Sequence, residues 1–267
     1  MAGEAKTDSF FLGAATVMIG PMADLYKFQP ATHSIGLVKN FAVTAEPSYT
    51  DLTQGVKNQI VFSVLTSNPV RASMEVYEYT SKNMAYGLGL DGSTLAAVVP
   101  MTLKTAITDG GVTVVANVDD DPDYNTGDWI MIQDGVTDRV HIGKLNADGV
   151  FSTDQVTLTL TAGTAMPTGT TFDATTTIVS KVNRVNVGEL AAQPFLAAKV
   201  VAQLPKDSRP ITILFPKLRI TRGFSLNFQT DSFGHLPFEF TPYEVVSTDT
   251  FYADFKDKGV AGIFVGT

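Results

Sequence analysis

The sequence predicts a mainly β protein with one flanking α-helix, a long hairpin and a small inserted β domain. Apolar and polar residues alternate along several segments, turn-forming clusters separate these segments, and only one segment has helical spacing. The longest alternating segment is Lys217–Tyr243, where the even positions from Leu218 to Phe228 are apolar except Arg222. After a polar turn the alternation resumes at Leu236. We therefore expect two long antiparallel strands, each with one buried face.

The N-terminal part predicts three strands and two loops. Ser9–Ile19 is a short apolar run ended by Gly-Pro, which is typical of a strand, and Met22–Thr32 is expected to be a loop. Ile35–Ala45 has mostly apolar odd positions and is predicted to be a half-buried strand. Glu46–Asn58 is polar and too long for a tight turn, so we expect a loop that reaches a neighbouring molecule. Gln59–Leu65 is predicted to be a buried strand.

One helix is predicted over Asn68–Tyr86. Ser67, Asn68 and Pro69 supply an N-cap and a first-turn proline, and Gly87 supplies the stop. Apolar residues recur between them at helical spacing, so this face is expected to pack on the sheet. Three tyrosines are expected to join that core, with a ligand platform as the alternative: Tyr77, Tyr79 and Tyr86.

The chain between residues 100 and 187 differs in composition from the rest. It is rich in Thr, Val, Asp and Gly, and its five basic and eleven acidic residues give a net charge of −6, against −2 for the remainder. We expect a solvent-facing β barrel or sandwich over 100–187, inserted into a discontinuous parent domain of residues 1–99 and 188–267. Its predicted strands are Gly111–Val118, Trp129–Gln133, Arg139–Lys144, Gln155–Leu160 and Thr176–Val182.

The C-terminal part predicts further strands around the long hairpin. Phe195–Leu204 is compatible with a helix or a strand, and its apolar even positions favour a strand. Pro210–Phe215 is predicted to be a strand that precedes the hairpin. Gly262–Val265 is predicted to be a last, edge strand.

Composition limits the functions that the chain can have. It contains no cysteine, which excludes disulfides and thiolate metal sites, and its formal charge of −8 disfavours tight binding of a nucleic-acid backbone. No apolar run has the roughly 20 residues that span a bilayer, and the N-terminus lacks the apolar region expected of a secretory signal. Because 44% of the residues are hydrophobic and only 17% are charged, we expect partner subunits to cover part of the surface.

Three sequence features suggest binding sites, and each also has a structural interpretation. Gly87–Gly92 matches G-x-G-x-x-G but follows a predicted helix, so we expect a helix stop and a linker. The acidic loop Asp119–Asp128 resembles a calcium loop, but Ile132 stands where the bidentate glutamate belongs, which favours a solvated turn. Trp129 is a candidate sugar or peptide platform, but its alternating strand favours a core position.

The sequence contains no catalytic motif, so no catalytic residue, cofactor or metal ion is expected. Convergence of scattered residues into a hydrolase site at His141 or His235 is one alternative. A carbohydrate- or calcium-binding β module that uses Trp129 and the Asp119–Asp128 loop is another. Arg222, which interrupts the apolar face of the long hairpin, is expected to pair with an acidic residue or to enter an intersubunit contact. The histidines are far apart in the sequence: His33, His141 and His235.

The order of these elements resembles the tail tube proteins of tailed bacteriophages. The resemblance covers about Met1–Gly92 and Glu189–Thr267. Its residues are the loop segment Asp51-Leu52-Thr53-Gln54-Gly55, the helix segment Met74-Glu75-Val76-Tyr77-Glu78-Tyr79 and, above all, the C-terminal LRITRGFSLNFQTDSFGHLPFEFTPY. Residues 100–187 depart from the minimal tube fold and look like an insertion displayed on the outside.

The resemblance implies a tail-tube-type β-sandwich or barrel with a structural, non-enzymatic role. Six copies would form a ring whose hairpins join edge to edge, and rings would stack into a hollow tube, favoured as part of a contractile tail, that delivers the genome into the host. This interpretation requires the edges of the long hairpin to be open in a single chain, because sister copies are expected to cover them. The implied partners are further copies, tail sheath, baseplate and tail terminator proteins, and phage DNA that passes through the lumen without sequence-specific binding.

The resemblance also implies a location and a set of assembly residues. The protein would belong to the virion tail, assemble in the host cytoplasm and insert into no membrane. The polar face of the long hairpin is expected to supply ring and lumen contacts, and the 46–58 loop is expected to reach the next ring. The ring and lumen candidates are Lys217, Arg219, Thr221, Ser225, Asn227, Gln229, Glu239 and Thr241. The inter-ring candidates are Tyr49, Asp51, Gln54 and Lys57.

Overall fold

The computed structural model describes residues 15–54, 59–93, 95, 99–137, 139–188, 193–203, 210–225 and 233–266. Strand accounts for 47% and helix for 10%, which confirms the predicted mainly β class. The chain divides into two compact units: unit 1 comprises Met1–Thr94 and Val185–Thr267, and unit 2 comprises Leu95–Arg184. The sequence analysis placed these two boundaries at 99/100 and 187/188.

The described residues form sixteen strands and two short α-helices. The helices are α1 (Pro30–His33) and α2 (Ser81–Gly87), and single 3-10 turns cover Met22–Lys27, Ala162–Thr164 and Ala253–Phe255. The strands are β1 (Ala15–Pro21), β2 (Val38–Ala45), β3 (Ser48–Gln54), β4 (Gln59–Ser67), β5 (Val70–Val76), β6 (Pro100–Thr102), β7 (Thr113–Asn117), β8 (Trp129–Gln133), β9 (Val140–Lys144), β10 (Val150–Ser152), β11 (Gln155–Thr159), β12 (Ile178–Val182), β13 (Leu196–Gln203), β14 (Pro210–Arg222), β15 (Leu236–Pro242) and β16 (Gly262–Val265).

Unit 1 is built on a seven-stranded antiparallel sheet. Its strand order is β1-β13-β14-β15-β5-β2, and β16 also pairs with β14. Adjacent residues point to opposite faces of a strand, so Phe215 joins the main core while Leu214 joins a smaller cluster with Leu25 and Phe255. All six strands of the main path contribute to the larger core. The sheet therefore has an apolar layer on both faces.

The long hairpin predicted around Lys217–Tyr243 pairs as expected, but most of its edges are paired with other strands of the chain. β14 continues from Pro210 through Pro216 to Arg222, so the separately predicted strand Pro210–Phe215 belongs to it. β14 pairs with β15 on one side and β13 on the other, while the second edge of β15 pairs with β5. The expectation of open edges is therefore contradicted along these paired stretches, while the second edge of Arg219–Arg222 has no partner among the described strands.

The predicted loop Glu46–Asn58 and the predicted buried strand Gln59–Leu65 are both corrected. β3 and β4 form an antiparallel hairpin, and every described residue of both strands is exposed. Serine, threonine and glutamine in β3 are compatible with a strand that has solvent on both faces. The apolar run in β4 predicts a strand correctly, but its composition does not say whether this chain covers it.

The predicted helix over Asn68–Tyr86 is shorter than expected. Val70–Val76 is strand β5, in which Ala72, Met74 and Val76 are buried at alternate positions between β15 and β2. Helix α2 begins only at Ser81, where the Thr80 hydroxyl accepts a 3.1 Å hydrogen bond from the Asn83 backbone. Of the three tyrosines expected in the core, Tyr86 is buried, Tyr77 is half-buried and Tyr79 is exposed.

The remaining predictions for unit 1 differ mainly at their boundaries. The first strand is Ala15–Pro21 rather than Ser9–Ile19, of which residues 9–14 lie outside the described chain. Met22–Thr32, expected to be a loop, contains a 3-10 turn and most of α1. β2 starts three residues after Ile35 and is mostly exposed rather than half-buried. The predicted strands Phe195–Leu204 and Gly262–Val265 are observed as β13 and β16.

Unit 2 contains two open sheets that share one core. One sheet has the order β10-β11-β7 and the other β6-β12-β8-β9. Val114 and Leu158 from the first sheet pack in one cluster with Ile130, Ile132 and Val179 from the second. This arrangement is a small β-sandwich. Five of its seven strands lie within one or two residues of the segments predicted from the alternation, and the three-residue strands β6 and β10 were not predicted.

Candidate assembly surface

Hairpin β3–β4 is the continuation of a strand pair of the unit 1 sheet. β2 and β5 are paired as far as Ala45 and Val70, and the Glu46 N–H donates to the Pro69 carbonyl at 3.1 Å. Pairing resumes at Ser48 and continues along β3 and β4, which pair with no other described strand. At about 3.3 Å per residue, the nine residues of β4 extend roughly 30 Å. The β2–β5 strand pair is part of the unit 1 sheet, and its continuation, hairpin β3–β4, leaves the sheet.

Hairpin β3–β4 is strongly apolar. Of its described residues only Asp51 is charged, and the Asp51 carboxylate accepts a hydrogen bond from the Ser63 hydroxyl. An isolated two-stranded hairpin is marginally stable in water, and uncharged β-branched segments associate readily. This surface therefore has the properties of one that a partner covers. Seven large hydrophobic residues are between 48% and 63% exposed: Tyr49, Leu52, Ile60, Val61, Phe62, Val64 and Leu65.

Both faces of the hairpin carry these residues. Leu52 lies directly opposite Phe62, and Tyr49 lies directly opposite Leu65. Residues directly opposite each other in an antiparallel pair share a face, and an odd separation between Tyr49 and Leu52 places the two pairs on opposite faces. A partner that covers only one face would leave the other in water. The hairpin is thus suited to insertion between surfaces rather than to lying flat on one.

Three of the four inter-ring candidates lie on this hairpin. Tyr49, Asp51 and Gln54 are exposed residues of β3, and Lys57 lies outside the described residues. The sequence analysis placed them on a polar loop and predicted the neighbouring strand Gln59–Leu65 to be buried, so it missed that the two segments form one exposed hairpin. The signal for exposure to a partner is that Gln59–Leu65 is uncharged, has high β propensity and contains no proline.

Lys217, a ring and lumen candidate, is instead an internal ion-pair residue. Its Nζ atom lies 2.8 Å and 3.0 Å from the two carboxylate oxygens of Asp249 and 4.6 Å from the ring centroid of Phe195. The Lys217 hydrogen bond, followed by one from the Val246 backbone, lowers the pKa of Asp249 below its ordinary value. The side chains of Lys217 and Asp249 are only 10% and 17% exposed. In the single chain Lys217 is therefore paired internally, and its role as a ring or lumen residue stays a prediction.

Arg219 lies next to this ion pair on the same aromatic ring. Its Cζ atom is 4.1 Å from the centroid of Phe195, and its Nε is buried with no acceptor among the described residues. Tyr243 packs edge-on against the same ring at 5.5 Å. This cluster holds β14 against the segments that flank β13 and β15.

The other hairpin candidates make local polar contacts near the end of β14 or lie at the surface. The Thr221 hydroxyl donates to the Glu239 carbonyl at 3.2 Å, and the Glu239 carboxylate lies 3.6 Å from Arg71 of β5. Arg222 is exposed and stands opposite Glu239 in the register, beside a β-bulge. Thr241 is half-buried and Ser225 is exposed, while Asn227 and Gln229 lie outside the described residues.

Trp129 is not a core residue. Ile130 and Ile132 of β8 point into the unit 2 core, so Trp129 lies on the opposite face and is half-buried. Lys144 Nζ and Arg184 Cζ lie 6.0 Å and 5.7 Å from its ring centroid. The predicted core role of Trp129 is corrected, because the alternation assigns it to the outer face of its sheet.

Two oxygen groups of the acidic loop Asp119–Asp128 contact the side chain of Lys181. The Lys181 ammonium lies 2.7 Å from the Asp128 carboxylate and donates to the Asp123 carbonyl at 2.7 Å. Among the described residues, no group of three or more His, Asp or Glu side chains is arranged to hold a metal ion. Gly87, predicted to stop the helix, is the last residue of α2, and residues 88–92 follow the helix end, where Gly89 has a positive φ of 76°.

The three histidines lie in different elements. His33 stacks on Phe28 at 4.7 Å in unit 1, and His235 lies 5.7 Å from the ring of Tyr77. In unit 2, His141 Nε2 is 2.9 Å from the Thr164 carbonyl oxygen. Each histidine thus has its own local contacts.

Comparisons with known proteins do not assign a family. No protein-family profile matches the chain, and no curated protein matches its sequence at a significant level. In the described part of the chain, none of the helices has the length and apolar character needed to cross a bilayer.

Proposed function

We propose that this chain is a structural subunit of a bacteriophage tail tube. Six copies form a ring, and the rings stack into a hollow tube that delivers the genome. The resemblance of the C-terminal segment Leu218–Tyr243 to tail tube proteins supplies the specific assignment, because the helix in the predicted element order is strand β5 from Val70 to Val76. In this proposal the tail sheath, baseplate and tail terminator proteins are further partners, and the DNA passes through the lumen without sequence-specific contacts.

The observation that carries the proposal is hairpin β3–β4. A ribbon anchored in a sheet extends about 30 Å from it and exposes seven large hydrophobic residues on two faces. A monomer that left this surface in water would be prone to aggregation, whereas a regular assembly covers it in every copy. The chain thus has an element suited to self-assembly. Hairpin β3–β4 replaces the ring contact that was expected at β14 and β15, because most of the edges of β14 and β15 are paired within the chain.

The first experiment is electron microscopy of the purified full-length chain, together with sedimentation analysis. The proposal predicts rings or tubes of uniform diameter. A protein that stays a monodisperse monomer at all accessible concentrations would refute it.

Two variants test whether the hairpin makes the contact. Leu52→Glu and Phe62→Glu each place a carboxylate on the same face of the hairpin, and we expect both to prevent assembly without changing the circular dichroism spectrum. Val136→Glu is the matched control, since Val136 is 75% exposed in unit 2 and lies far from the hairpin in sequence. Normal assembly of the two hairpin variants would exclude this contact, and loss of assembly in all three would indicate a general charge effect.

A further inference from the structure

A groove on unit 1 lies beside the last strand of the sheet. Its volume is about 680 Å³. Its floor is the face of β13, β14 and β16 on which Lys199, Leu214 and Gly262 stand side by side in the register, followed by Thr212 and Phe264. The walls come from the turn at Leu25 and Tyr26 and from the segment Asp254–Lys258. The groove thus continues the smaller apolar cluster of unit 1 towards solvent.

The strand that borders this groove has a free edge. Among the described strands, β16 pairs only with β14. Its residues Ile263, Phe264 and Val265 are 66%, 53% and 57% exposed, and it contains neither a charged residue nor a proline that would block pairing. The edge therefore offers unpaired backbone groups and apolar side chains together, which is the combination that an added β-strand recognises.

Few charges oppose an apolar contact between the groove and hairpin β3–β4. The groove lining contains Lys199, Lys258 and Asp254, a net charge of +1. The sequence of residues 48–67 contains Asp51 and Lys57, a net charge of zero. Neither surface therefore carries a charge excess that would repel the other.

The apolar area of the hairpin is also of the right size. Its seven large hydrophobic residues are about half exposed and lie on both faces. With half of an aromatic side chain's area, roughly 100 Å², as the upper scale for each, the two faces together present at most about 700 Å². A standard protein interface buries about 800 Å² on each partner. If both faces are covered, hairpin β3–β4 therefore supplies most of the area that one partner buries in such an interface.

We propose that the groove and free edge of β16 receive hairpin β3–β4 of a second copy of this chain. This inference rests on the proposed function, because it names the surface that the tube contact uses. Each copy donates a hairpin and receives one, and such a head-to-tail contact closes into rings or continues as a filament.

Cross-linking between two different single-cysteine proteins tests the contact. The natural chain contains no cysteine, so Phe62→Cys and Phe264→Cys each introduce a unique thiol. The two full-length proteins are mixed in equal amounts and treated with a short bismaleimide, and the joined peptides are identified by mass spectrometry. We expect at least tenfold more mixed dimer than from the control mixture of Val136→Cys and Phe264→Cys.

The outcomes separate this inference from the proposed function. Tubes that form with mixed dimer only at the control level would overturn the groove assignment and leave the tube proposal standing. Abundant mixed dimer in a protein that forms neither rings nor tubes would support the groove contact and refute the tube. A Phe62→Cys/Phe264→Cys double variant that cross-links within one chain at high dilution, with no mixed dimer, would show that the hairpin occupies its own groove and would overturn the inference.

Discussion

Replacing Asp249 by alanine tests the internal position of Lys217. The Lys217 ammonium lies 2.8 Å from the Asp249 carboxylate, and the two side chains are 10% and 17% exposed. Asp249→Ala removes the carboxylate and leaves the ammonium group largely out of water above Phe195. Removing one partner of a buried ion pair costs about 3–5 kcal/mol, and the residual exposure of this pair places the expected loss near 3 kcal/mol.

Urea unfolding followed by two probes measures this loss. Far-UV circular dichroism reports on both units, whereas fluorescence of the single tryptophan, Trp129, reports on unit 2 and serves as an internal control. With a slope of about 2 kcal/mol per M, a loss of about 3 kcal/mol lowers the midpoint of unit 1 by roughly 1.5 M. The tryptophan transition is expected to stay unchanged.

The double variant Lys217→Met/Asp249→Ala tests whether the unpaired Lys217 charge causes the loss of stability in Asp249→Ala. It removes the unpaired charge, so we expect it to recover most of the lost stability. The Lys217 hydrogen bond lowers the pKa of Asp249, so the stabilisation is present above about pH 4 and is lost as pH falls through that lowered pKa. An unchanged midpoint for Asp249→Ala, or a double variant as unstable as the single one, would refute the reasoning.

Three further predictions concern local structure. Thr80→Ala removes the α2 cap and is expected to cost about 1 kcal/mol in urea unfolding, whereas Thr80→Ser retains it; equal losses would contradict the cap. Gly87→Ala places a methyl group 2.4 Å from the Gly223 carbonyl oxygen and is expected to cost about 1–3 kcal/mol, so a stable variant would contradict this close approach. Hydrogen bonds led by that from the Thr137 hydroxyl lower the pKa of Asp134 to about 2, so unit 2 should lose stability between about pH 4 and 2; Asp134→Asn should flatten this dependence in tryptophan-monitored unfolding.

The strands of unit 2 were predictable because their signal is local. Trp129–Gln133 is observed with the predicted bounds, and Gln155–Leu160 differs from β11 by one residue. Alternation along five residues already separates a buried face from an exposed one, and turn clusters mark the ends. The error at Trp129 came from taking its place in an alternating strand as evidence for the core, without deciding which of the two faces is buried.

The errors in unit 1 have a different origin. Between Asn68 and Tyr86, apolar residues fit a helical period as well as an alternating one, and only the neighbouring strands β15 and β2 select the strand β5. The Gln59–Leu65 run was predicted to be buried because its residues are apolar, yet no described part of the chain covers it. Of the twelve assembly candidates, the structure keeps Tyr49, Asp51 and Gln54 on an exposed hairpin and moves Lys217 into an internal ion pair.

The sequence by itself determined the mainly β class, the positions of most strands and the presence of a compositionally distinct segment near 100–187. Tertiary structure alone decided which strands lie at the sheet edges, which apolar faces the chain covers itself and which polar residues pair internally. The reason is that periodicity depends on neighbouring residues, whereas an edge depends on pairing between distant segments such as β5 and β15. The apolar hairpin β3–β4 and the groove at β16 became recognisable only after that pairing was known.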